Sequence, residues 1–449
     1  MSPEADIRIG AFLARPALAR LLAALDGEGE ETRVVGGAVR NLLLGTAPSD
    51  VDLATTALPQ ETMRRGRQAG FKAIPTGIEH GTVTLVGEGE SFEVTTLRQD
   101  VETDGRRARV VFGRDFVADA LRRDFTINAL GLDAAGRVHD VCGGLDDLQA
   151  RRVRFIGKPA ARIREDYLRI LRFFRFHAQY GHGEPDAVGL AACIAGRAGL
   201  GALSRERVRA ETMKLLVAPG AAATVRAMAG AGLLTAVIGG VPHLSRFAAV
   251  AGDEGAGIVP AFRLAALAVA KREDAERLRE GLRLSNEEFD RITRIAQALE
   301  ALGGRPDLPG IAALRHLADA TGADAVAAAL VLLNASAGRD AGEAVQRSIA
   351  ELAGTPPFLP GGKDVMALGV APGPRVGQVL AAARAAWIEA GCPAAAVEQN
   401  GFVERAVDRL QSPARSDDRA QGQRTVGGIE ERIESTLPPV LRPKIVPRS

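Results

Sequence analysis

Apolar and polar positions change rhythm along the chain, and the changes mark out its elements. Over residues 4–26, Ile9, Phe12, Leu13, Leu18, Leu21, Leu22 and Leu25 recur at helical spacing, with a break at Pro16. The stretch 32–56, TRVVGGAVRNLLLGTAPSDVDLATT, then switches twice. Val34 and Val35 read as a strand, Val39, Leu42, Leu43 and Leu44 as the apolar face of a helix, and Asp50-Val51-Asp52 as the opening of a second strand. A helix follows Pro59, and alternating runs at 81–86 and 92–97 with a turn at 87–90 predict a hairpin. Residues 118–130, ADALRRDFTINAL, read as a helix passing into a strand at 125–128. From Arg205 onwards the spacing is helical, in amphipathic stretches separated by Gly and Pro.

This pattern predicts an α+β protein: a helical lead-in over residues 1–30, a head with a mixed sheet and helices over 31–150, then an all-helical neck (151–215), body (216–350) and tail (351–411). The Pro-, Gly- and charge-rich stretch 412–449 is expected to be disordered.

Composition narrows the class. At 449 residues the chain exceeds one hydrophobic core, and 46% hydrophobic with only 4% aromatic content fits a mostly helical soluble protein. A net charge of +2 offers no global argument for a polyanionic partner. Arginines are nevertheless clustered at 106, 107 and 109, at 122 and 123, and at 151, 152 and 154, as expected where a polyanion lies. Cys142, Cys193 and Cys392 are odd in number and widely spaced, which fits a reducing cytosol and argues against a disulfide framework or a zinc site. With no apolar run of spanning length and no signal peptide in MSPEADIRIG, the expected location is cytoplasmic, without a membrane partner.

Candidate chemistry lies around the first switch. Asp50 and Asp52, two apart on a strand, point to one side and can share divalent cations, while Gly36 and Gly37 open a helix whose N–H groups suit phosphate. Paired carboxylates beside a phosphate cradle are equipment for phosphoryl or nucleotidyl transfer. Glu93, in FEVTTLR, falls on a strand expected beside the Asp50/Asp52 strand; a strand-centre Glu is costly unless it pairs or binds a cation, so it reads as a third carboxylate or as a solvent-facing partner of Arg98. Over residues 158–180, helical spacing puts Asp166, Arg169 and Arg172, with Arg175 a turn on, along one stripe, and Leu168, Leu171 and Phe174 on the apolar side. Alone, Asp166 and Arg169 could be an ordinary helix ion pair.

The run GGAVRN followed by DVD resembles the opening GGxVRD…DxD of the class II tRNA nucleotidyltransferase and poly(A) polymerase family, within the superfamily built on the DNA polymerase beta head. Asn41 stands where that family usually has Asp. FEVTTLR, RRDFTINAL, the closing GGLDDL at 143–148, Glu165-Asp166-Tyr167-Leu168-Arg169 as EDxxR, and the Gly-rich tail at 359–391 extend the resemblance over roughly residues 32 to 400. It implies a DNA polymerase beta-like head, two Mg²⁺ ions on Asp50 and Asp52 with Glu93 supporting, and nucleotide contacts from Gly36, Gly37, Arg40, Arg123, Asp166, Arg169, Arg172 and Arg175. By the same resemblance Asp124 and Asn128 fix a turn, and residues 99–114 form a flexible loop; a solvated hairpin and a bracing Arg–Asp pair are the plain readings of those stretches.

The EDxxR pair has a physical reading of its own. A carboxylate accepts from an exocyclic amino group while an arginine donates to a ring nitrogen, so Asp166 and Arg169 together can admit cytosine and adenine and reject uracil and guanine. The expected activity is extension of an RNA 3′ end, with tRNA as partner and CTP and ATP as substrates giving a CCA end; no protein partner is called for. Poly(A) polymerases and enzymes adding only A or only CC share these motifs, and an RNA-binding protein that lost catalysis is the reading outside enzymes.

Overall fold

The computed structural model describes residues 3–48, 50–104, 107–252, 259–303, 307–337 and 342–411. Arg106 and the stretch 412–449, for which the sequence predicts disorder, lie outside the described residues. The chain forms two compact units, one running to Val237 and one from Ile238.

The first unit begins with α1 (Pro3–Leu13) and α2 (Pro16–Leu25), separated at Pro16 because proline suits a first helical turn and no interior one. Next come β1 (Thr32–Val35), α3 (Gly37–Leu43), β2 (Val51–Thr55), α4 (Pro59–Gln68), β3 (Lys72–Gly77), β4 (Thr82–Gly87) and β5 (Glu90–Thr96). A separate two-stranded hairpin, β6 (Arg98–Asp104) and β7 (Arg107–Phe112), stands where a loop or solvated hairpin was expected. After α5 (Phe116–Leu121), the short strands β8 (Gly131–Leu132) and β9 (Val138–His139) complete a seven-stranded sheet ordered β3-β4-β5-β2-β1-β8-β9.

One face of the sheet carries Val34, Leu53, Val83, Leu85, Phe92 and Val94, all essentially sealed from water. Helix α4 packs on this face so closely that a Cβ on Gly66 would come within 2.7 Å of the Leu85 side chain. On the other face Val35, Ala54 and Leu97 are covered by Phe116 of α5. The expected strand at 125–128 is not formed: Phe125 makes one bridge to Phe155, and Thr126–Asn128 close into a 3-10 turn. Strand pairing loses here to side chains that hold the turn, Asn128 Nδ2 donating to Asp124 Oδ1 at 3.0 Å and Phe125 N–H donating to the same oxygen at 2.9 Å.

Beyond the sheet, α6 (Gly144–Gln149), α7 (Pro159–Glu165), α8 (Leu168–Tyr180), α9 (Ala187–Gly196), α10 (Arg205–Leu216) and α11 (Ala221–Gly230) complete the unit. Helix α8 is fastened to the head by aromatic packing, with Phe155 stacked on Phe173 at 5.3 Å and Phe125 4.9 Å from Phe155. The stripe expected along a single helix from 158 to 180 is interrupted. Asp166 is extended (φ −154°, ψ 109°) between α7 and α8, so it lies off the face that carries Arg172. Its carboxylate takes the N–H of Leu168 at 3.0 Å, a cap for α8 that a mid-helix position would not allow.

The second unit is helical over its described residues. The helix Asn286–Leu302 begins with the capping box readable as Ser285 and Glu288, in which Ser285 N–H donates to Glu288 Oε2 at 2.7 Å. Buried Arg246 lies across the end of the helix Pro260–Ala268, donating to the carbonyls of Ala265 (3.0 Å) and Ala266 (2.6 Å), where a helix offers unpaired acceptors and favours positive charge. The tail stretch reads as three helices, Gly362–Ala367, Pro374–Glu389 and Ala396–Gln411. Among the described residues no single helix is long and apolar enough to cross a membrane.

Candidate active site at the end of the head sheet

Sheet register gathers the carboxylates. Val35 at the end of β1 pairs antiparallel with Asp52 near the start of β2, so the Gly36-Gly37 turn and the Asp50/Asp52 pair occupy the same end of the sheet. Asp52 in turn lies beside Glu93, because β2 and β5 run parallel with those two residues in register. The neighbour expected of Glu93 is thus found, although β5 forms its hairpin with β4 and meets β2 in parallel. Arg98, the alternative partner for Glu93, donates to the His80 carbonyl at 2.9 Å.

Arg123 reaches the same end because it follows α5, which covers the Asp52/Ala54 face. Its guanidinium is held by Asp119 at 3.0 Å, a carboxylate kept below its usual range because Arg123 and Arg122 together outweigh its burial. The bracing Arg–Asp pair is therefore real, and it aims the guanidinium across the turn: a Cβ on Gly36 would sit 2.8 Å from Arg123 Nη1. Gly36 has φ 71°, so the position demands glycine both for its backbone and for this approach. Its N–H donates to the Leu130 carbonyl at 3.1 Å, so Gly36 does not supply one of the helix-opening N–H groups expected to suit phosphate.

The electrostatics of this corner disfavour ionised carboxylates. Although the Asp52 side chain is open to solvent, the protein around it raises its carboxyl pKa; Asp50 adds to the rise and Arg123 opposes it. Glu93 is likewise raised, by burial first and by Asp52 second. Two neighbouring oxygen-ligand groups whose ionisation is disfavoured fit a hard divalent cation. Among the described residues no three His, Cys, Asp or Glu side chains are grouped so as to hold a metal ion, Asp50, Asp52 and Glu93 included.

Other residues expected at the nucleotide are placed differently. Arg40 is buried, donating from Nη2 to the Tyr180 hydroxyl at 2.7 Å and to Asn41 Oδ1 at 3.1 Å, and pairing through Nη1 with Asn128. Its guanidinium lies 4.0 Å over the Tyr180 ring, and burial lowers its pKa. Asn41 is thus an acceptor for Arg40, a task an amide oxygen performs without a charge. Arg172 Nε donates to Asp124 Oδ2 at 2.7 Å, and Arg175 pairs with buried Glu211 of α10. A polar chain Tyr180–Arg40–Asn128–Asp124–Arg172 therefore ties the head turn to α8. Sequence reading did not single out Tyr180 or Glu211, whose roles depend on partners 140 and 36 residues away.

Asp166 and Arg169 do not pair with each other. Asp166 Oδ2 accepts from Arg207 Nη2 of α10 at 2.7 Å, while Arg169 pairs with Glu165 and donates to the Arg162 carbonyl at 3.0 Å. Arg169 and Arg162 draw the Glu165 carboxyl below its ordinary range despite its partial burial.

The chain is similar to known proteins over the head and beyond it. Residues 32–154 match the poly A polymerase head domain, and residues 190–247 match a domain described as the probable RNA and SrmB-binding site of polymerase A. The mitochondrial CCA tRNA nucleotidyltransferase 1 of Danio rerio is 48% identical over 192 residues, 42% of this chain and 44% of that protein. At that match the chain spans less than half of its relative's length, but the alignment with the Mus musculus enzyme of the same name is longer: 35% identity over 373 residues, 81% of this chain and 84% of that one. Both relatives are named mitochondrial, so this likeness does not carry the cytoplasmic expectation. Among solved structures, the Bacillus stearothermophilus CCA-adding enzyme in complex with CTP aligns with a TM-score of 0.67 and 28% identity, over 88% of this chain and 99% of that one. With the head-sheet carboxylates, the EDxxR break and an alignment spanning most of both chains, this protein belongs to the CCA tRNA nucleotidyltransferase family.

Proposed function

We propose that the protein adds or repairs the CCA end of tRNA, taking CTP and ATP, without a template, and releasing pyrophosphate. The observation that carries the reading is the register that sets Asp52 beside Glu93 at the sheet end where Gly36 and Arg123 meet. Asp50 and Asp52, with Glu93 supporting, would hold two Mg²⁺ ions, which when bound promote ionisation of the RNA 3′-hydroxyl and stabilise negative charge on the triphosphate. Arg123, already fixed by Asp119, supplies a preorganised positive charge at the phosphates or ribose. Gly36 and Gly37 let the triphosphate approach the backbone. Asp166 and Arg169 read the base, and Arg40, Arg172 and Arg175 serve the nucleotide by holding α8 in place against the head turn and α10.

Incubating the protein with tRNA lacking its 3′ end and each labelled nucleotide tests the proposal. Addition of C, C and A from CTP and ATP, with UTP and GTP refused, is the expected result. Long A tails would make it a poly(A) polymerase, A alone or CC alone a partial enzyme, and tRNA binding without incorporation a non-catalytic RNA-binding protein.

Binding of tRNA is expected to weaken steeply with salt despite the near-neutral net charge of +2, because the arginines are clustered. Each neutralised phosphate contributes a log–log slope of roughly −0.9 on duplex. Filter binding between low and physiological ionic strength measures that slope, and a flat dependence removes the role of the arginine clusters.

A further inference from the structure

We propose that Arg207 is a positioning residue for base selection, aiming the Asp166 carboxylate at the incoming base. The inference rests on the reading of Asp166 as a base-recognition group. Asp166 sits in an extended break between two helices, where the backbone alone leaves its carboxylate free to turn. Two donors arriving from different elements remove that freedom: Leu168 N–H binds Oδ1 at 3.0 Å and Arg207 Nη2 binds Oδ2 at 2.7 Å. Each carboxylate oxygen has about two lone-pair sites. One on each therefore remains, in a plane set by the two bonds already made, for the amino group of a cytosine or adenine.

The element that presents Arg207 is itself rigid. Helix α10 buries Val208, Thr212, Leu215 and Leu216, and Glu211, one turn on from Arg207, holds Arg175 and lies 3.7 Å from Arg172. One face of α10 thus steadies both the recognition carboxylate and the α8 arginines, whereas Arg169 is steadied from α7 by Glu165 and the Arg162 carbonyl. Arg207 is 51% exposed, so its ion pair adds little to folding, and its loss should register in selectivity.

The test uses the full chain with Arg207→Ala, Arg207→Lys and Asp166→Ala, measuring kcat/KM for all four nucleotides on tRNA lacking its terminal residues, together with tRNA affinity and thermal midpoint. Arg207→Ala is expected to lower the CTP-over-UTP and ATP-over-GTP ratios about fivefold, the size of a partly exposed ion pair, mainly through higher KM for CTP and ATP. Arg207→Lys should recover most of the ratio, with tRNA affinity and thermal midpoint unchanged in both variants. If Asp166→Ala loses selectivity while Arg207→Ala keeps it, the positioning role is overturned and the base-reading role of Asp166 stands. Unchanged selectivity in both variants overturns the base-reading role and the inference with it. Weaker tRNA binding by Arg207→Ala at unchanged selectivity would make Arg207 an RNA phosphate contact and likewise overturn the inference.

Discussion

Replacing Asp52 by alanine should reduce nucleotide addition by about a thousandfold or more, while tRNA affinity stays near wild type. Asp52 is the centre of the carboxylate group, next to Glu93 across the parallel pair and two residues from Asp50, so its removal takes away the carboxylate that neighbours both of the others. If RNA is held through remote phosphate contacts, as proposed above, its affinity is spared. Asp50→Ala should behave in the same way, and robust turnover by either variant in Mg²⁺ would sink the metal assignment.

A measurement independent of turnover follows from the raised carboxyl pKa values. Partial desolvation by the surrounding protein raises Asp52 and Glu93 in the folded state although both side chains are exposed, so their contribution to stability is full below the ordinary carboxylate range and is lost as pH rises through the raised values. At neutral pH both are ionised at a cost that a divalent cation relieves. Adding Mg²⁺ should therefore raise the wild-type thermal midpoint near pH 7, with the increment shrinking in acid. Asp52→Asn, which removes one of the costly charges, should lose most of that increment. An equal Mg²⁺ response in the two proteins would place the cation elsewhere.

Asp166→Ala should admit UTP and GTP and slow addition of C and A, because one good bidentate-type contact is worth about 1–3 kcal/mol of base discrimination. It also removes the cap on α8, a loss of about 1 kcal/mol of stability that must be separated from selectivity. Asp166→Asn makes that separation. If its amide oxygen keeps the Leu168 cap, its NH₂ takes the Oδ2 position, gives up the Arg207 bond and presents a donor to the base, where it repels an exocyclic amino group and favours the carbonyl of uracil or guanine. The expected outcome is a shift towards UTP and GTP at nearly wild-type stability. The ordinary helix ion pair between Asp166 and Arg169 predicts no such change, and the two side chains are in fact bound to different partners. Retained C and A preference at normal rates in both variants would leave Asp166 a structural residue.

Local chemistry explains which parts of this protein were legible in one dimension. The Pro16 break and the strand into Gly36-Gly37 depend on groups a few residues apart, so spacing and residue type sufficed; the equally local Ser285 capping box was not singled out, and the Asp124–Asn128 turn came only from the family resemblance. Asp50 and Asp52 stood out by their spacing, but β2 begins at Val51, so Asp50 lies one residue before the strand and period-two alternation fixes the side of Asp52 alone. The sequence by itself therefore determined the α+β head, the helical remainder and the candidate residues.

Tertiary structure alone decided what those residues touch. Spacing placed Asp166 and Arg169 on one helix, but Arg207 from α10 and Glu165 from α7 took the two charges separately, and the chain broke at Asp166 to cap α8. Arg40 reads as a motif arginine free to meet phosphate, yet it is buried under Tyr180, 140 residues away. Residues 125–128 have the apolar pattern of a strand, and the Asp124 carboxylate with the Phe125–Phe155 contact closed them into a turn. The deciding partners of Asp166 and Arg40 are remote in sequence, whereas the Glu165–Arg169 pair and the Asp124 turn are local contacts that the packed structure selected over the Asp166–Arg169 pair and the strand. A buried charge or amide must find a partner, because leaving it unpaired costs more than local propensity gains.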